Sequence, residues 1–207
     1  MCSSDLSPRL LARDVAEIKE KRPEIHLQIQ EGTQEMLLSA LRRGEIDVMI
    51  GRFATGRQVS DLVQEKLYVE EFRIVAGAGE RQRRLRNASL AELVDEPWIM
   101  YPAWVPLRQH LDRLFMAECG HVPGNVVECT HPSVILPLIQ RGPFLALLPS
   151  HVSAVYAESR MITEIPLRLP ALNAPVALIQ RAGAGEHDAL AYFVQVLKSR
   201  SLLLDRN

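Results

Sequence analysis

A leucine stripe gives the clearest hydrophobic pattern in the chain. Leu37, Leu38 and Leu41 recur at the spacing of one helix face, which predicts a helix with a single apolar side. Thr33 can cap the start of this helix, because its hydroxyl can accept a hydrogen bond from an amide of the first turn. Gly44 can end the helix, because glycine tolerates the left-handed conformation found at many helix ends.

Two segments with strand-like patterns flank this helix. Residues 46–50 are nearly all apolar, as in a strand that is covered on both faces. Residues 25–29 alternate apolar and polar side chains, which predicts a half-buried edge strand. A strand, a helix and a strand of this length predict a right-handed unit whose two strands are parallel.

The rest of the chain alternates helical and extended patterns. Helices are predicted over residues 6–21, 90–94, 107–120, 131–141, 150–156 and 190–197. Extended segments are predicted over residues 62–75, 98–101, 126–127, 144–148, 162–169 and 176–180. This alternation predicts an α/β fold with mostly parallel sheets. Pro137 lies inside a predicted helix, where it should cause a kink or shorten the helix.

Several short motifs, in this order and at this spacing, resemble one known family. The shared positions in the early part of the chain are Pro23, Glu24, Ile25, Glu31, Gly32, Leu38, Leu41, Gly44, Glu45 and Asp47. The later segments that fit are residues 97–99, 107–120, 140–142 and 147–149. Together they resemble the effector-binding domain of LysR-type transcriptional regulators, and the resemblance covers essentially the whole chain.

The resemblance implies a particular α/β fold. It implies two Rossmann-like lobes of the type II periplasmic-binding-protein kind, joined by two crossover strands. Residues 1–76 and 174–207 would form regulatory lobe I, and residues 77–173 would form regulatory lobe II. The domain of this family opens with a strand, whereas the present sequence starts in the loop after it. Either residues outside this sequence supply that strand, which we expect, or the sheet lacks an inner strand.

Composition and charge are those of an ordinary globular protein. The 207 residues are 47% hydrophobic and 24% charged, which is enough for a core without disulfides or metal. The formal net charge is −1, whereas a stand-alone DNA-binding domain is usually basic. The chain by itself is therefore expected to bind DNA poorly.

The cysteines and the N-terminal segment indicate the cellular compartment of the protein. Three cysteines without a CxxC motif argue for a reducing compartment and against a disulfide framework or zinc site. The N-terminus lacks the pattern of a signal peptide, and no apolar run approaches the roughly 18 residues of a membrane span. We expect a soluble, cytoplasmic protein with no membrane partner.

Catalytic and metal motifs are absent from the sequence. The six histidines show no HExxH or other paired metal spacing, and no GxSxG, P-loop or GxGxxG motif occurs. Cys129 lies near His131, but such proximity is common by chance. Peroxide-sensing members of the resembled family carry a reactive cysteine pair about where Pro106 and Phe115 stand here, so that redox mechanism does not transfer. We expect no catalytic residue, metal or cofactor.

Loops after predicted strands carry the candidate binding residues, because ligands of open α/β sheets bind beyond the carboxyl ends of strands. Small hydroxyls there could bond a carboxylate or hydroxyl group of a ligand, or could simply cap helices. Aromatic side chains could cover an apolar face of the ligand. In the resembled family the equivalent loops line the inducer pocket. The candidates are Ser3, Ser4, Arg52, Phe53, Tyr101, Ala103, Trp104, Thr130, His131 and Ser133.

Two arginines are the cationic candidates for an anionic ligand. A guanidinium group pairs bidentately with a carboxylate, so Arg52 and Arg108 could each bind an organic acid. Surface salt bridges are the alternative use of both side chains.

The resemblance implies a ligand-sensing regulatory domain that is not an enzyme. It would bind a small-molecule inducer, such as an organic acid, between two lobes. It would act as a homodimer or tetramer, in which residues 6–29 of one subunit pack on the far lobe of the other. It would reach DNA only through an N-terminal helix-turn-helix domain absent from this sequence. One alternative is a periplasmic solute-binding protein of a transporter, which would need a secretion signal. The other is a small enzyme on the same scaffold, which would need a catalytic pair.

Overall fold

The computed structural model describes residues 8–52, 60–79, 85–183 and 188–204. The helices are α1 Pro8–Lys21, α2 Gln34–Arg43, α3 Leu90–Leu93, α4 Pro106–Cys119, α5 Pro132–Arg141, α6 Ser150–Glu158 and α7 Asp188–Leu204. The strands are β1 Met49–Arg52, β2 Leu62–Glu70, β3 Phe72–Gly77, β4 Trp98–Met100, β5 Val126–Glu128, β6 Leu145–Pro149, β7 Ile162–Ile165 and β8 Ala174–Arg181. Short 3₁₀ turns cover Leu85–Asn87 and Pro170–Leu172.

The chain divides into two compact units. The first unit comprises Met1–Glu70 and Ala174–Asn207, and the second unit comprises Glu71–Asn173. Strand β3 forms ladders with β6 and β7, which both belong to the second unit. In this division the boundary precedes β3. The lobe boundary after residue 76, which the resemblance implied, stays a prediction.

The first unit contains a three-stranded sheet in the order β1-β8-β2. Strand β8 lies in the middle and is buried along its centre, with Val176 and Ile179 fully inaccessible to solvent. Helix α2 packs through Leu37 and Leu41 on one cluster of the core. Ile18 of α1 packs with residues of α7 in a separate cluster. The sheet is thus covered by helices through two distinct apolar clusters.

The second unit contains a five-stranded sheet in the order β5-β4-β6-β3-β7. Strand β4 is parallel to both of its neighbours, β5 and β6, and β3 is antiparallel to β6 and β7. The main core of this unit gathers around Trp98, Phe72 and Phe115, which are almost completely buried. A second cluster packs α5 and α6 against the sheet.

The prediction of mostly parallel sheets is wrong for the described residues. Strand β8 is antiparallel to both β1 and β2, and in the other sheet only the pairings of β4 are parallel. The prediction rested on the alternation of helical and extended patterns along the chain. That alternation does not fix which strands pair, and β8, far along the chain, pairs antiparallel with both β1 and β2.

The predicted edge strand at residues 25–29 does not form. No regular secondary structure is assigned from Ile25 to Gln30, although Ile25 is buried and His26 is exposed, as the alternation predicted. A strand requires a neighbour for its ladder of hydrogen bonds. Within the described residues no strand lies beside this segment, so the pattern has no partner to complete it.

An exposed contact between His121 and Asp95 lies just after the end of α4. Gly120 ends this helix in the left-handed conformation, with φ of 80°. Nε2 of His121 lies 2.9 Å from Oδ1 of Asp95, and its Nδ1 lies 3.2 Å from the carbonyl oxygen of Cys119. The hydrogen bond to Asp95 raises the pKa of His121 above its ordinary value, and the carbonyl of Cys119 adds to this effect.

This contact should add a small pH dependence to stability. A raised pKa in the folded state means that the contribution is complete below the ordinary histidine pKa of about 6.5 and is lost as the pH rises through the higher folded-state value. We expect His121→Gln to lower the melting temperature at pH 5.5 and to leave it unchanged at pH 8.5. Thermal unfolding of both proteins across this range checks the sign, and an equal loss at both pH values would contradict it.

Candidate functional site

Two loops leave the second sheet at the same edge. Strands β4 and β5 are parallel and in register, with Met100 opposite Glu128. The residues that follow them, 101–104 and 129–133, therefore start side by side at the carboxyl ends of the two strands. Ligands of open α/β sheets bind at such an edge. The structure thus gathers six of the candidates, namely Tyr101, Ala103, Trp104, Thr130, His131 and Ser133.

Helix α4 holds the loop after β4 by its carbonyl groups. Nη1 of Arg108 donates to the carbonyl of Tyr101 at 2.9 Å, and Nε2 of Gln109 donates to that of Ala103 at 3.2 Å. The amide of Val105 donates to the carbonyl of Pro102 at 2.9 Å. These bonds fix the loop backbone while the indole of Trp104 stays free of the core, with 75% of the residue exposed. The loop therefore presents a large aromatic surface on a restrained backbone.

The loop after β5 leads directly into α5. The amide of Cys129 donates to the carbonyl of Met100 at 2.9 Å, which extends the contact between the two strands. His131 is the N-cap residue of α5, and its side chain makes no capping hydrogen bond. Thr130 and Ser133 are exposed, and neither makes a side-chain hydrogen bond within the described part of the chain. Their hydroxyls are thus available to a ligand, and Thr130 does not act as a cap.

The first turn of α5 also leaves the main-chain amide of Ser133 available to a ligand. The first amides of a helix have no partner within that helix. Here Pro132 has no N–H, and the amides of Val134 and Ile135 donate to the carbonyl of His131. Pro137 lies inside α5 and cannot donate to the carbonyl one turn earlier, that of Ser133. The assigned helix nevertheless runs through Pro137 to Arg141, so Pro137 does not shorten it.

Arg108 has a structural use that ties the two loops together. Besides the carbonyl of Tyr101, its guanidinium binds both carboxylate oxygens of Asp112, at 2.8 and 2.9 Å from Nε. Its Nη1 also lies 3.3 Å from Oε1 of Glu128, the last residue of β5. The side chain is only 12% exposed. Arg108 therefore joins the loop after β4 to the end of β5, and its charge is already balanced by carboxylates.

Sequence reasoning treated Arg108 as a candidate ligand contact or a surface salt bridge and missed its role in fixing the loops. The spacing of Arg108 and Asp112, four residues apart on a helix, was a readable signal for the ion pair. The bonds to Tyr101 and Glu128 had no such signal, because they depend on how β4 and β5 are paired.

Arg52 lies in the first unit at the end of β1. Its Nε and Nη2 lie 3.1 and 2.7 Å from Oε2 of Glu70, whose side chain is completely buried. This arginine thus balances a buried carboxylate. Its contact with a ligand stays a prediction from the sequence, as do those of Ser3, Ser4 and Phe53, which lie outside the described residues.

Metal and membrane chemistry find no support in the described residues. In the ranges given above, no group of three or more histidine, cysteine or acidic side chains could hold a metal ion. No helix in those ranges is long and apolar enough to cross a membrane.

Burial of Cys119 raises the pKa of its thiol, so this cysteine is less ionised than an exposed one.

The fold is that of effector-binding domains of bacterial regulators. The chain is similar to the BenM effector-binding domain with its effector benzoate, with a TM-score of 0.73, 19% identity, and 94% of this chain and 86% of that chain covered. It is also similar to a reduced form of OxyR from N. meningitidis, with a TM-score of 0.73, 20% identity, and 96% of this chain and 91% of that chain covered. At these identities the likeness shows the fold alone.

The family follows from the sequence. The model of the LysR substrate binding domain matches residues 1–201, and the chain belongs to this family. It is 29% identical over 175 residues to the HTH-type transcriptional regulator GalR of Pseudomonas putida. The aligned region covers 84% of this chain and 44% of GalR. The chain spans about half the length of the curated relatives it matches.

Membership of this family decides between the classes of protein that the sequence left open, namely a regulator, a solute-binding protein and an enzyme. The relatives are named as transcriptional regulators, and the family is one of regulatory domains rather than enzymes. A solute-binding protein of a transporter is not favoured by these matches.

Proposed function

We propose that this chain is the part of a cytoplasmic transcriptional regulator that senses a small-molecule effector, and that residues 101–104 and 130–133 form part of the binding site. The match of residues 1–201 to the LysR substrate binding domain carries the proposal. The meeting of two loops with exposed, unbonded hydroxyls at the carboxyl ends of β4 and β5 supports the place of the site. The DNA-binding function would belong to another region of the regulator.

The available groups favour an organic acid, preferably an aromatic one. The hydroxyls of Thr130 and Ser133 and the first-turn amide of Ser133 can donate to a carboxylate, and the start of the ten-residue helix α5 carries partial positive charge. The exposed indole of Trp104 can stack on an apolar ring. Benzoate, the effector of the similar BenM domain, combines a carboxylate with an aromatic ring and so supports the same chemistry.

A thermal-shift screen tests this proposal with matched pairs of compounds. Benzoate should raise the melting temperature and benzyl alcohol should not, and other aromatic carboxylates should be compared with their alcohols in the same way. A ligand at 100 times its dissociation constant stabilises a protein by about 2.7 kcal/mol, which is a shift of several degrees. If neutral sugars stabilise the protein and no carboxylate does so at millimolar concentration, the proposed chemistry is wrong.

The chain by itself should not recognise DNA. A net charge of −1 gives little attraction to phosphates, and DNA binding would come from a region that this chain does not contain. We expect gel shifts with the 207-residue chain to show no sequence-specific complex. A specific complex that survives moderate salt would contradict the proposal that another region of the regulator binds DNA.

The proposed function includes association of the chain with copies of itself. We infer that the chain forms a homodimer, or a tetramer built from such dimers, through α1 and residues 25–29. Residues 25–29 have the alternation of an edge strand, with Ile29 50% exposed, and exposed strand edges favour pairing with another chain. The mass in sedimentation equilibrium distinguishes these states from a monomer.

A further inference from the structure

Arg108 keeps one nitrogen of its guanidinium for further bonding. Nε binds Asp112, and Nη1 binds the carbonyl of Tyr101 and Oε1 of Glu128. Within the described residues Nη2 makes no hydrogen bond, yet it is not a buried atom, so a ligand can reach it. Because a guanidinium is rigid and planar, the bonds of Nε and Nη1 also fix the direction in which Nη2 donates.

Glu128 offers an acceptor beside this donor. It is the last residue of β5, and its side chain is 48% exposed. Its Oε1 takes the 3.3 Å contact from Nη1 of Arg108, the longest hydrogen bond of that guanidinium. Its Oε2 makes no hydrogen bond in the part of the chain that the structure describes. The Arg108–Glu128 pair thus presents one available donor and one available acceptor on two side chains that already touch.

The Arg108–Glu128 pair lies next to the loops of the proposed effector site. Glu128 comes two residues before Thr130, so their Cα atoms are at most about 7 Å apart. Tyr101, whose carbonyl Arg108 holds, begins the loop that carries Trp104. A molecule with one aromatic ring has a comparable length, so one substituent could contact Thr130 while another contacts the pair.

The charges around Nη2 determine which substituent suits the pair. The carboxylates of Asp112 and Glu128 both face the one guanidinium of Arg108, which leaves an excess of negative charge. This excess would repel a second carboxylate of the effector, and an ammonium group has no acceptor for Nη2. A hydroxyl group is neutral and both accepts and donates, so it can bond Nη2 and Oε2 at the same time.

We propose that the Arg108–Glu128 pair binds a hydroxyl group of the effector, which makes the preferred effector a hydroxylated aromatic acid. This hydroxyl subsite rests on the proposed function, in which the start of α5 binds a carboxylate. The hydroxyl oxygen accepts from Nη2 of Arg108, and the hydroxyl donates to Oε2 of Glu128. A site built to bond a hydroxyl group discriminates against the analogue that lacks it. Because Glu128 is about half exposed, we expect a preference of about tenfold.

Calorimetric titration with matched compounds tests the hydroxyl subsite. The probes are benzoate, 3-hydroxybenzoate and 4-hydroxybenzoate, together with the two corresponding methoxybenzoates, which accept a hydrogen bond but cannot donate one. We expect the better hydroxybenzoate to bind about tenfold more tightly than benzoate and than its methoxy counterpart. Equal affinity for benzoate and both hydroxybenzoates would overturn the hydroxyl subsite and leave the proposed carboxylate site standing. Absence of binding by all five compounds would overturn the proposed function together with the subsite.

Glu128→Gln tests the acceptor, and Asp112→Asn is the matched control. Each variant removes one carboxylate charge from Arg108, but only Glu128 lies at the end of β5. Asparagine at position 112 keeps an oxygen that can accept from Nε, so Arg108 stays held. We expect Glu128→Gln to reduce the preference for the hydroxybenzoate to about twofold and Asp112→Asn to keep it near tenfold. The preference is a ratio of two affinities on one protein, so a loss of folded protein does not change it.

Two results with these variants would contradict the subsite. An undiminished preference in Glu128→Gln would show that the hydroxyl group binds elsewhere. An equal loss of preference in Glu128→Gln and Asp112→Asn would show that the charge around Arg108, and not a contact at the end of β5, sets the preference.

Discussion

Replacing Arg52 by alanine should lower the free energy of unfolding by about 3–5 kcal/mol, since removing one partner of a buried ion pair is strongly destabilising. The carboxylate of Glu70 is completely buried, and Nε and Nη2 of Arg52 both donate to its Oε2. The variant removes both of these hydrogen bonds from a carboxylate that lies in the buried part of the first unit. Urea denaturation of Arg52→Ala and the original protein measures the loss.

An exposed ion pair in the same unit is the control. Arg42 binds Asp61 at 2.7 Å, but the two side chains are 46% and 49% exposed. We expect Arg42→Ala to cost far less than Arg52→Ala, since solvent screens such pairs. If Arg52→Ala were as mild as Arg42→Ala and instead weakened effector binding, the structural use of Arg52 would be wrong and its predicted use as a ligand contact would gain support.

Replacing Trp98 by alanine should also cost about 3–5 kcal/mol, as for large aromatic side chains in a packed core. Trp98 is fully buried in the second unit and lies edge-on to Phe115, with ring centroids 5.3 Å apart. Its Nε1 donates to the carbonyl of Leu93 at 2.8 Å. The variant loses the packed volume and this hydrogen bond, while the carbonyl of Leu93 keeps its bond from the amide of Glu96. Thermal and chemical unfolding measure the effect.

The other tryptophan of the chain gives the matched comparison. Trp104 is 75% exposed, so Trp104→Ala should change the free energy of unfolding by no more than about 0.5 kcal/mol. The same variant should weaken the binding of an aromatic acid, since the indole is proposed to cover its ring. Similar destabilisation by the two alanine variants would show that the loop after β4 belongs to the core and is not a ligand-binding surface.

Features set by near neighbours in sequence were predictable. Thr33 caps α2 and its hydroxyl accepts from the amide of Met36 at 3.3 Å, and Gly44 ends the helix with φ of 77°. Both predictions are confirmed. They rest on contacts within four residues, where side-chain chemistry and backbone conformation decide the result.

Features set by distant partners were not predictable in the same way. Residues 25–29 have the sequence of a strand but no strand beside them in the described part of the chain, and the direction of β8 depends on pairing with both β1 and β2. The partners of Arg52 and of Arg108 were equally hidden, because Glu70 and Glu128 come next to them only through the sheets. Loops at strand ends were recognisable as candidates, whereas their meeting at one edge required the register of β4 and β5.

Calorimetric titration of Thr130→Ala is the most direct test of the proposed effector site. The titrant is the aromatic carboxylate that gives the largest thermal shift, and Ser159→Ala is the control, since the hydroxyl of Ser159 bonds a carbonyl of its own helix α6. We expect Thr130→Ala to bind about tenfold more weakly at an unchanged melting temperature, and Ser159→Ala to bind normally. Normal affinity of Thr130→Ala with a lowered melting temperature would contradict the site, since it would make Thr130 a structural residue.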